Sequence, residues 1–440
     1  MHRTCLTLVS RSFLSIISCL LFGAALNAQE YTTLYSFQGR ADGSGPIGFM
    51  IVDKTGKLYG TTTYGGAGTT CDPFGCGTVF EILRPAKQGD PWTEAILHNF
   101  NTSDGNWPSA GHLVGDKAGN LYGTTQYGGV SGWGTIFELV KPETPERAWT
   151  ETILYNFTDG NDGGVPATSV AMDADGNLYG VTYDGGRYGA HKGSGTIFQL
   201  APPRAKNGAW IETTLYSFQH ILDGNEPSSL TLDAEGNLYG TRDADHILCT
   251  PSSPKHCGTA YELQRHGTRW RMKVLHEFEG SRDGAAPSEM IFDYKGNLYG
   301  TTMGFGGDIS TAGGTVFELS PPASGSGPWT ESLLYTFSGG ADGSQPLAAP
   351  IFDRRGNLFG TTFNGGTQGY GVVFKLTPPS QQGLPWIETV LHSFVGGSDG
   401  ADPFAGLLWG KDSALYGTAS GGGGSSSCNG GCGTVFRVVP

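Results

Sequence analysis

Hydrophobic and polar residues alternate in short segments that are typical of β-strands. The segment WTETILYNF, at 149–157, places Ile153, Tyr155 and Phe157 at every second position. This period of two predicts a strand. Further apolar segments predict three more strands, at 169–173, 177–182 and 195–200. The Asp-Gly dipeptide at 175–176 favours a tight hairpin between the first two of these, and no segment has the period of an amphipathic helix.

The same pattern recurs seven times along the chain. A Leu-Tyr-Gly or Leu-Phe-Gly core returns about every 60 residues, at Leu58, Leu121, Leu178, Leu238, Leu298, Leu358 and Leu415. Four short strands per repeat are typical of one blade of a β-propeller. The sequence therefore predicts an all-β fold, a seven-bladed β-propeller with four antiparallel strands per blade. A β-solenoid is the main alternative, although its coils are usually much shorter.

The two ends of the repeat array complement each other. Residues 30–37, EYTTLYSF, match the last strand of a repeat, whereas the segment before Pro440 matches the third strand. We therefore expect residues 30–37 to pair with 433–438, so that the N-terminal strand closes the last blade. Closure leaves no exposed edge strand, which suits an all-β protein in water.

The first 28 residues differ from the array. Two arginines precede an apolar run at 13–26, and the small-residue segment ALNA precedes Gln29. This arrangement predicts a secretory signal peptide at 1–28. The remaining residues, 29–440, then form a single propeller domain of seven repeats.

The same segment bears on localisation. Cys19 lies in a sequence that resembles a lipobox, but a lipid anchor there fits less well because the apolar run continues beyond it. No later segment is long and apolar enough to span a membrane. We expect a secreted protein, either extracellular or periplasmic.

Net charge narrows the classes of partner. The chain carries a formal net charge of −13 at pH 7 and no basic cluster. An acidic surface of this kind argues against nucleic acid and anionic membranes as partners. We therefore expect an extracellular glycan or protein as the partner.

Six of the eight cysteines form three close pairs along the chain. They are Cys71 with Cys76, Cys249 with Cys257, and Cys428 with Cys432. In an exported chain such pairs predict disulfide bonds. Bonds that close such short loops stabilise a fold by about 2–3 kcal/mol each, so we expect them mainly to fix loop shape. A zinc site fits less well because the spacings differ from Cys-x-x-Cys.

The repeated elements also carry a resemblance to known proteins. The succession GNLYGTT, GG and GTVFEL, with the pattern W-x-E-x-x-L-x-x-F, runs through nearly all of residues 29–440. It resembles the choice-of-anchor tandem repeat GloVer-containing proteins, which are exported bacterial proteins, and the hairpin is also similar to NHL-type propeller repeats. The resemblance implies export and a propeller-like array. It assigns no reaction.

Catalytic residues in a repeat protein should break the repeat, because seven identical copies cannot place one acid and one base. The fourth repeat departs most, with Arg242, Asp243, Asp245 and His246 where other repeats have Thr and Gly-Gly. If the protein is an enzyme, these residues are the best candidates for general acid or base work. The alternative is a polar loop that has diverged without a catalytic role, and we favour a non-enzymatic protein.

Seven Asp-Gly pairs recur, one before each inner strand. Their aspartates are Asp42, Asp104, Asp162, Asp223, Asp283, Asp342 and Asp399. An aspartate in such a position usually hydrogen-bonds its own turn. We expect no cofactor and no metal site, with calcium bound by these carboxylates as the alternative.

Aromatic residues outside the repeat pattern concentrate in the second repeat. Trp107 lies in the Asp-Gly loop, and Tyr127 and Trp133 lie in the Gly-Gly loop. If both loop types share one face of the propeller, the three side chains lie near each other there. Exposed aromatic rings stack on the apolar faces of sugars, so these residues are the candidate ligand-binding site.

These observations favour extracellular binding of a glycan or a protein. A propeller lyase or glycosidase acting at the channel mouth is one alternative. A structural component of the cell envelope, which needs no pocket, is the other.

Overall fold

In the computed structural model, the chain forms seven four-stranded antiparallel sheets that are the blades of a β-propeller. The structure describes residues 30–440 except 69, 72, 88, 109–111, 145, 167, 169, 189–194, 206–207, 220–226, 244–248, 250–256, 268, 281–282, 305–312, 326 and 382. Among the described residues, no helix is long and apolar enough to span a membrane. The predicted all-β propeller with four strands per blade is confirmed.

The strands are numbered in chain order, and the blades follow the repeats. The first strand, β1 (Glu30–Ser36), belongs to blade 7. Blade 1 contains β2 (Ile51–Val52), β3 (Leu58–Thr62), β4 (Thr78–Leu83) and β5 (Thr93–Asn99). Blade 2 contains β6 (Val114–Gly115), β7 (Leu121–Thr125), β8 (Thr135–Val140) and β9 (Thr150–Asn156). Blade 3 contains β10 (Ala171–Met172), β11 (Leu178–Thr182), β12 (Thr196–Ala201) and β13 (Ile211–Ser217).

The remaining blades repeat this order. Blade 4 contains β14 (Thr231–Leu232), β15 (Leu238–Arg242), β16 (Thr259–His266) and β17 (Arg269–Glu277). Blade 5 contains β18 (Ala285–Phe292), β19 (Leu298–Gly304), β20 (Thr315–Ser320) and β21 (Thr330–Thr336). Blade 6 contains β22 (Ile351–Phe352), β23 (Leu358–Thr362), β24 (Val372–Thr377) and β25 (Ile387–Ser393). Blade 7 contains β26 (Leu408–Trp409), β27 (Leu415–Ala419), β28 (Thr434–Val439) and β1. Short 3-10 turns span Arg40–Asp42 and Gly397–Asp399.

The N-terminal strand closes the ring as the sequence predicts. β1 pairs antiparallel with β28, in a register that runs from Glu30 opposite Val439 to Ser36 opposite Thr434, with one irregularity near Thr33. Blade 7 is thus built from both ends of the array. Closure gives every blade two neighbours, so the array has no free edge blade.

The second strand of each blade explains why the Leu-Tyr-Gly core repeats. In blade 3, Leu178 is fully buried, and the hydroxyl of Tyr179 donates to the carboxylate of Asp173 at 3.1 Å. Gly180 lies opposite Phe198 on the third strand. A Cβ at Gly180 would lie 2.5 Å from Cζ of Phe198, so only glycine leaves room for the ring.

Aromatic contacts join each blade to the next. The phenylalanine that follows each outermost strand packs against the aromatic residue in the third strand of the following blade. Six such Phe pairs have ring centroids 5.0–5.2 Å apart: Phe37 with Phe80, Phe100 with Phe137, Phe157 with Phe198, Phe278 with Phe317, Phe337 with Phe374, and Phe394 with Phe436. Phe218 and Tyr261 form the seventh contact, at 5.7 Å. The hydrophobic core therefore lies between blades.

Threonines of the second strand complete the framework. Thr182 shares a hydrogen bond with Thr196 of its own blade at 3.0 Å, and Thr241 donates to the backbone carbonyl of Ser288 in the next blade at 2.9 Å. Bonds of the second kind also run from Thr124 to Thr168, from Thr301 to Ala348 and from Thr361 to Ala405. These bonds fix the segments that line the central channel.

Candidate functional site

One face of the propeller carries both variable loop types of each blade, and we name it the loop face. It consists of the Asp-Gly-x-x-Pro loops and the Gly-Gly loops. Backbone bridges join the two loops within a blade, as between Ser44 and Tyr64 and between Asn106 and Tyr127. The expectation that the two loop types share a face is confirmed.

The repeated aspartates close their own turns. Asp283 accepts hydrogen bonds from the backbone N–H of Glu279 and from Nε2 of His276, both at 2.8 Å. Asp162 accepts from Thr158 in the same way and from the hydroxyl of Tyr155. Asp223 lies outside the described residues. Within the described ranges, no group of three or more His, Cys, Asp or Glu side chains is arranged to hold a metal ion.

A buried glutamate stands beside the aspartate of several of these turns. Burial raises the pKa of Glu212 to about 7, and the nearby carboxylate of Asp162 raises it further. Burial also raises the pKa of Glu94 to about 9, together with the hydrogen bond and charge of Asp42. Burial is likewise the main cause that raises the pKa of Glu151, Glu388 and Glu331. These carboxyl groups lie between blades, so their protonation is coupled to the packing of the ring.

All three predicted disulfides form, and each braces a Gly-Gly loop. They join Cys71 to Cys76, Cys249 to Cys257 and Cys428 to Cys432. Disulfides persist in oxidising compartments, so the three bonds fit an exported protein.

The third disulfide lies beside the closure of the ring. The carbonyl of Cys432 accepts a hydrogen bond from Gly45, and Ser425 in the same loop donates to the carbonyl of Gln38. This braced loop therefore contacts the segment that follows β1.

The repeat-breaking residues of blade 4 separate into different environments. Arg242 takes the place of the repeated threonine and is buried, with Nε donating to Thr259 at 3.1 Å and its guanidinium 5.5 Å from the centroid of the Phe218 ring. Asp243, the next residue, instead lines the central channel. Asp245 and His246, the other two catalytic candidates, lie outside the described residues.

Trp107 occupies a backbone position that recurs in the loops. Its φ is +56°, and Val165 in the next blade has the same conformation with φ +54°. The N–H of Trp107 donates to the carbonyl of Cys76 in blade 1 at 3.0 Å, as that of Val165 donates to Trp133. The backbone is thus fixed by the repeat, while the side chain differs from blade to blade.

The ring of Trp107 belongs to a continuous series of aromatic contacts. It packs edge to face against Tyr127 at 5.3 Å and against Tyr64 of blade 1 at 5.8 Å, between centroids. Tyr64 in turn lies 5.9 Å from Phe74. Phe74 is 65% exposed and lies within the loop closed by the Cys71–Cys76 disulfide. We name Phe74, Tyr64, Trp107 and Tyr127 the aromatic strip.

Trp133, the third residue of the predicted ligand site, has a different environment. Its side chain packs against the hydrophobic cluster between blades 2 and 3, which includes Phe157 and Phe198. Sequence reasoning thus missed Tyr64 and Phe74, because their contact with Trp107 crosses a blade boundary. The available signal was the neighbouring tyrosine at the equivalent position of repeat one.

A second candidate site lies in the central channel. His112 of blade 2 and Glu289 of blade 5 meet across it, with Nε2 of the imidazole 3.0 Å from the carboxylate. The ring of Phe49 lies against His112, 3.7 Å between centroids. A Cβ at Gly406 would lie 2.2 Å from this phenylalanine ring, so the glycine makes room for it.

These channel residues occupy one position of the repeat, directly before the buried residue of the inner strand. The chain places Phe49, His112, Ser169, Ser229, Glu289, Ala349 and Gly406 there. Framework positions keep one residue type through the blades, whereas this position changes almost every time. That variation was a signal in the sequence, which an approach based on loops alone overlooked.

A cavity of about 180 Å³ opens beside the pair, and its lining comes from all seven blades. Asp243 and Tyr183 contribute to its wall from the ends of second strands. Phe404 and Leu347 contribute from the loops before inner strands. The cavity therefore lies at the loop-face end of the channel.

Comparison with known proteins identifies the fold more than the activity. No curated protein matches the chain in sequence. The extracellular domain of the one-component system BT4673 from B. thetaiotaomicron is 14% identical, with a TM-score of 0.53, over 94% of this chain and 42% of that one. PorZ, a surface component of the type-IX secretion system of Porphyromonas gingivalis, is 14% identical, with a TM-score of 0.47, over 92% and 47%. The chain thus spans less than half the length of these structures.

A family model provides the more specific match. The model of the Gloeobacter/Verrucomicrobia repeat matches four overlapping segments, 19–190, 73–247, 150–327 and 309–440. Together they include every blade, and the resemblance found in the repeated motifs is confirmed. The chain therefore belongs to the Gloeobacter/Verrucomicrobia repeat family.

Proposed function

We propose that the protein is an exported binding module that holds a neutral glycan against its aromatic strip. The observation that carries this proposal is the unbroken series of ring contacts from Phe74 through Tyr64 and Trp107 to Tyr127. Aromatic rings bind the apolar C–H faces of sugars by stacking, and the hydroxyl and indole N–H groups add hydrogen bonds.

The strip is held by a rigid support, as a binding surface requires. The disulfide between Cys71 and Cys76 encloses Phe74, and the backbone of Trp107 is bonded to Cys76. Little conformational entropy is then lost when a ligand binds, which favours affinity. The net charge of −13 favours a neutral ligand over a polyanion.

Export is part of the same proposal. The predicted signal peptide at 1–28 and the three disulfides support an extracellular or periplasmic location. Glycans are abundant in both places.

Trp107→Ala tests the glycan site. An aromatic residue that anchors a ligand commonly contributes about 2 kcal/mol or more, so affinity for a neutral glycan should fall roughly thirtyfold. Isothermal titration calorimetry with an oligosaccharide chosen from a glycan array gives the measurement. Phe74→Ala should also weaken binding, and since its side chain is 65% exposed it should leave the fold intact.

Tyr294→Ala is the matched control. Tyr294 is 92% exposed in the hairpin between β18 and β19, at the opposite face from the loop face. Its replacement should not change glycan affinity. Unchanged affinity in both strip variants, or no affinity for any neutral glycan, would contradict the proposal and favour a protein partner or a structural role.

A further inference from the structure

We propose that the cavity at the loop-face end of the channel is a separate binding site for a small organic cation, of the quaternary ammonium class. Its walls combine two carboxylates with aromatic rings in an enclosed space. Three features carry the proposal: a fixed wall, a surplus of negative charge and aromatic faces.

The wall is built before any ligand arrives. The segments that line the cavity are held by the threonine bonds between blades, as where Thr241 donates to the carbonyl of Ser288 and Thr124 to that of Thr168. Both carbonyl residues line the cavity. A preformed cavity of about 180 Å³ suits a small molecule better than a polymer.

The charges in the described wall are mainly negative. Glu289 and Asp243 contribute carboxylates, and His112 is the one basic side chain among the described lining residues. The guanidinium of Arg242 is directed away from the cavity, towards Thr259 and the ring of Phe218. Even with the imidazole protonated, these three lining side chains carry a net charge of −1, which favours a cation.

Aromatic rings supply the second part of cation recognition. Phe49 and Tyr183 line the cavity, and Phe404 joins them with 37% of its surface exposed. A quaternary ammonium group is attracted to the faces of such rings, most strongly where water is excluded. Gly406 and His112 hold the ring of Phe49 in place.

Choline and its neutral isostere 3,3-dimethylbutan-1-ol make the test. The two probes have nearly the same shape and differ in charge. Isothermal titration calorimetry of the whole protein should show binding of choline and at least about tenfold weaker binding of the alcohol. Equal binding of the two, or no binding of choline, would overturn the proposal.

Variants locate the site. Glu289→Gln and Asp243→Asn should each weaken choline binding about tenfold, whereas Glu143→Gln, at a carboxylate 89% exposed outside the channel, should not. Phe49→Leu keeps the wall apolar, removes the aromatic face and should also weaken binding. A melting curve for each variant separates loss of binding from loss of fold.

Retained choline affinity in both carboxylate variants would overturn the proposal, since the cation would then bind elsewhere. Trp107→Ala should leave choline binding unchanged, because Trp107 does not belong to the cavity lining described here. The glycan and cation sites can thus succeed or fail separately.

Discussion

Replacement of Phe37 by Ala tests whether the N-terminal segment closes the ring. Phe37 follows β1, is fully buried and lies edge to face against Phe80 of blade 1, 5.1 Å between centroids. Truncation of a buried phenylalanine to alanine costs about 3–5 kcal/mol. The total stability of a domain is commonly about 5–15 kcal/mol, so a loss of this size should be easy to measure.

Phe157 is the matched control. It makes the same contact between blades 2 and 3, with Phe198 at 5.2 Å, and it is equally buried. If β1 closes the ring, Phe37→Ala and Phe157→Ala should destabilise the protein by similar amounts. Urea denaturation followed by tryptophan fluorescence compares the two midpoints directly.

Thermal unfolding provides a second measurement. With an unfolding entropy of about 2.1 cal/mol/K per residue over roughly 400 residues, a loss of 3–5 kcal/mol corresponds to a fall in Tm of about 4–6 °C. Deletion of residues 29–37 should cause a larger fall, because it also removes Leu34 and the pairing with β28. An unchanged midpoint for Phe37→Ala, alongside a lowered one for Phe157→Ala, would refute the closure.

Two further predictions concern the framework. Stability should fall as the pH rises from about 4.5 to about 7, because glutamates between blades keep protons in the folded chain that they release in the unfolded chain; the glutamates with a pKa raised to about 7 are Glu151, Glu212 and Glu388. Replacement of all three by Gln should flatten the curve of Tm against pH, and an equally steep fall in the triple variant would contradict this origin. Gly123→Ala should cost about 1–3 kcal/mol in urea denaturation, because its Cβ would lie 2.6 Å from Cζ of Phe137. Gly115→Ala, whose nearest neighbouring atom lies at 3.8 Å, is the control, and equal losses in the two variants would argue against the steric explanation.

Most of the fold follows from local sequence pattern. The alternation predicts strands at 177–182 and 195–200, and the structure has β11 at Leu178–Thr182 and β12 at Thr196–Ala201. Seven copies of one pattern reinforce each other, so errors in a single repeat have little weight. Closure by β1 also follows, because its sequence completes the last repeat.

The candidate sites follow less well, because they depend on which blades meet. Trp107 and Tyr127 do contact each other, but Tyr64 and Phe74 come from the neighbouring blade. Trp133 shares the loop region and yet packs into the core, since its position in the repeat faces the next blade. Residue type alone cannot distinguish these environments.

The pair of His112 and Glu289 also has a consequence for the architecture. The two side chains stand on blades 2 and 5, three blades apart in one direction around the ring and four in the other. Their 3.0 Å contact depends on the diameter of the channel, which the number of blades determines. A ring with one more blade would be wider and would separate them, and a ring with one fewer would crowd them. The contact therefore acts as a gauge of the blade number, and any variant of this array that gains or loses a repeat must also replace the residues at this position.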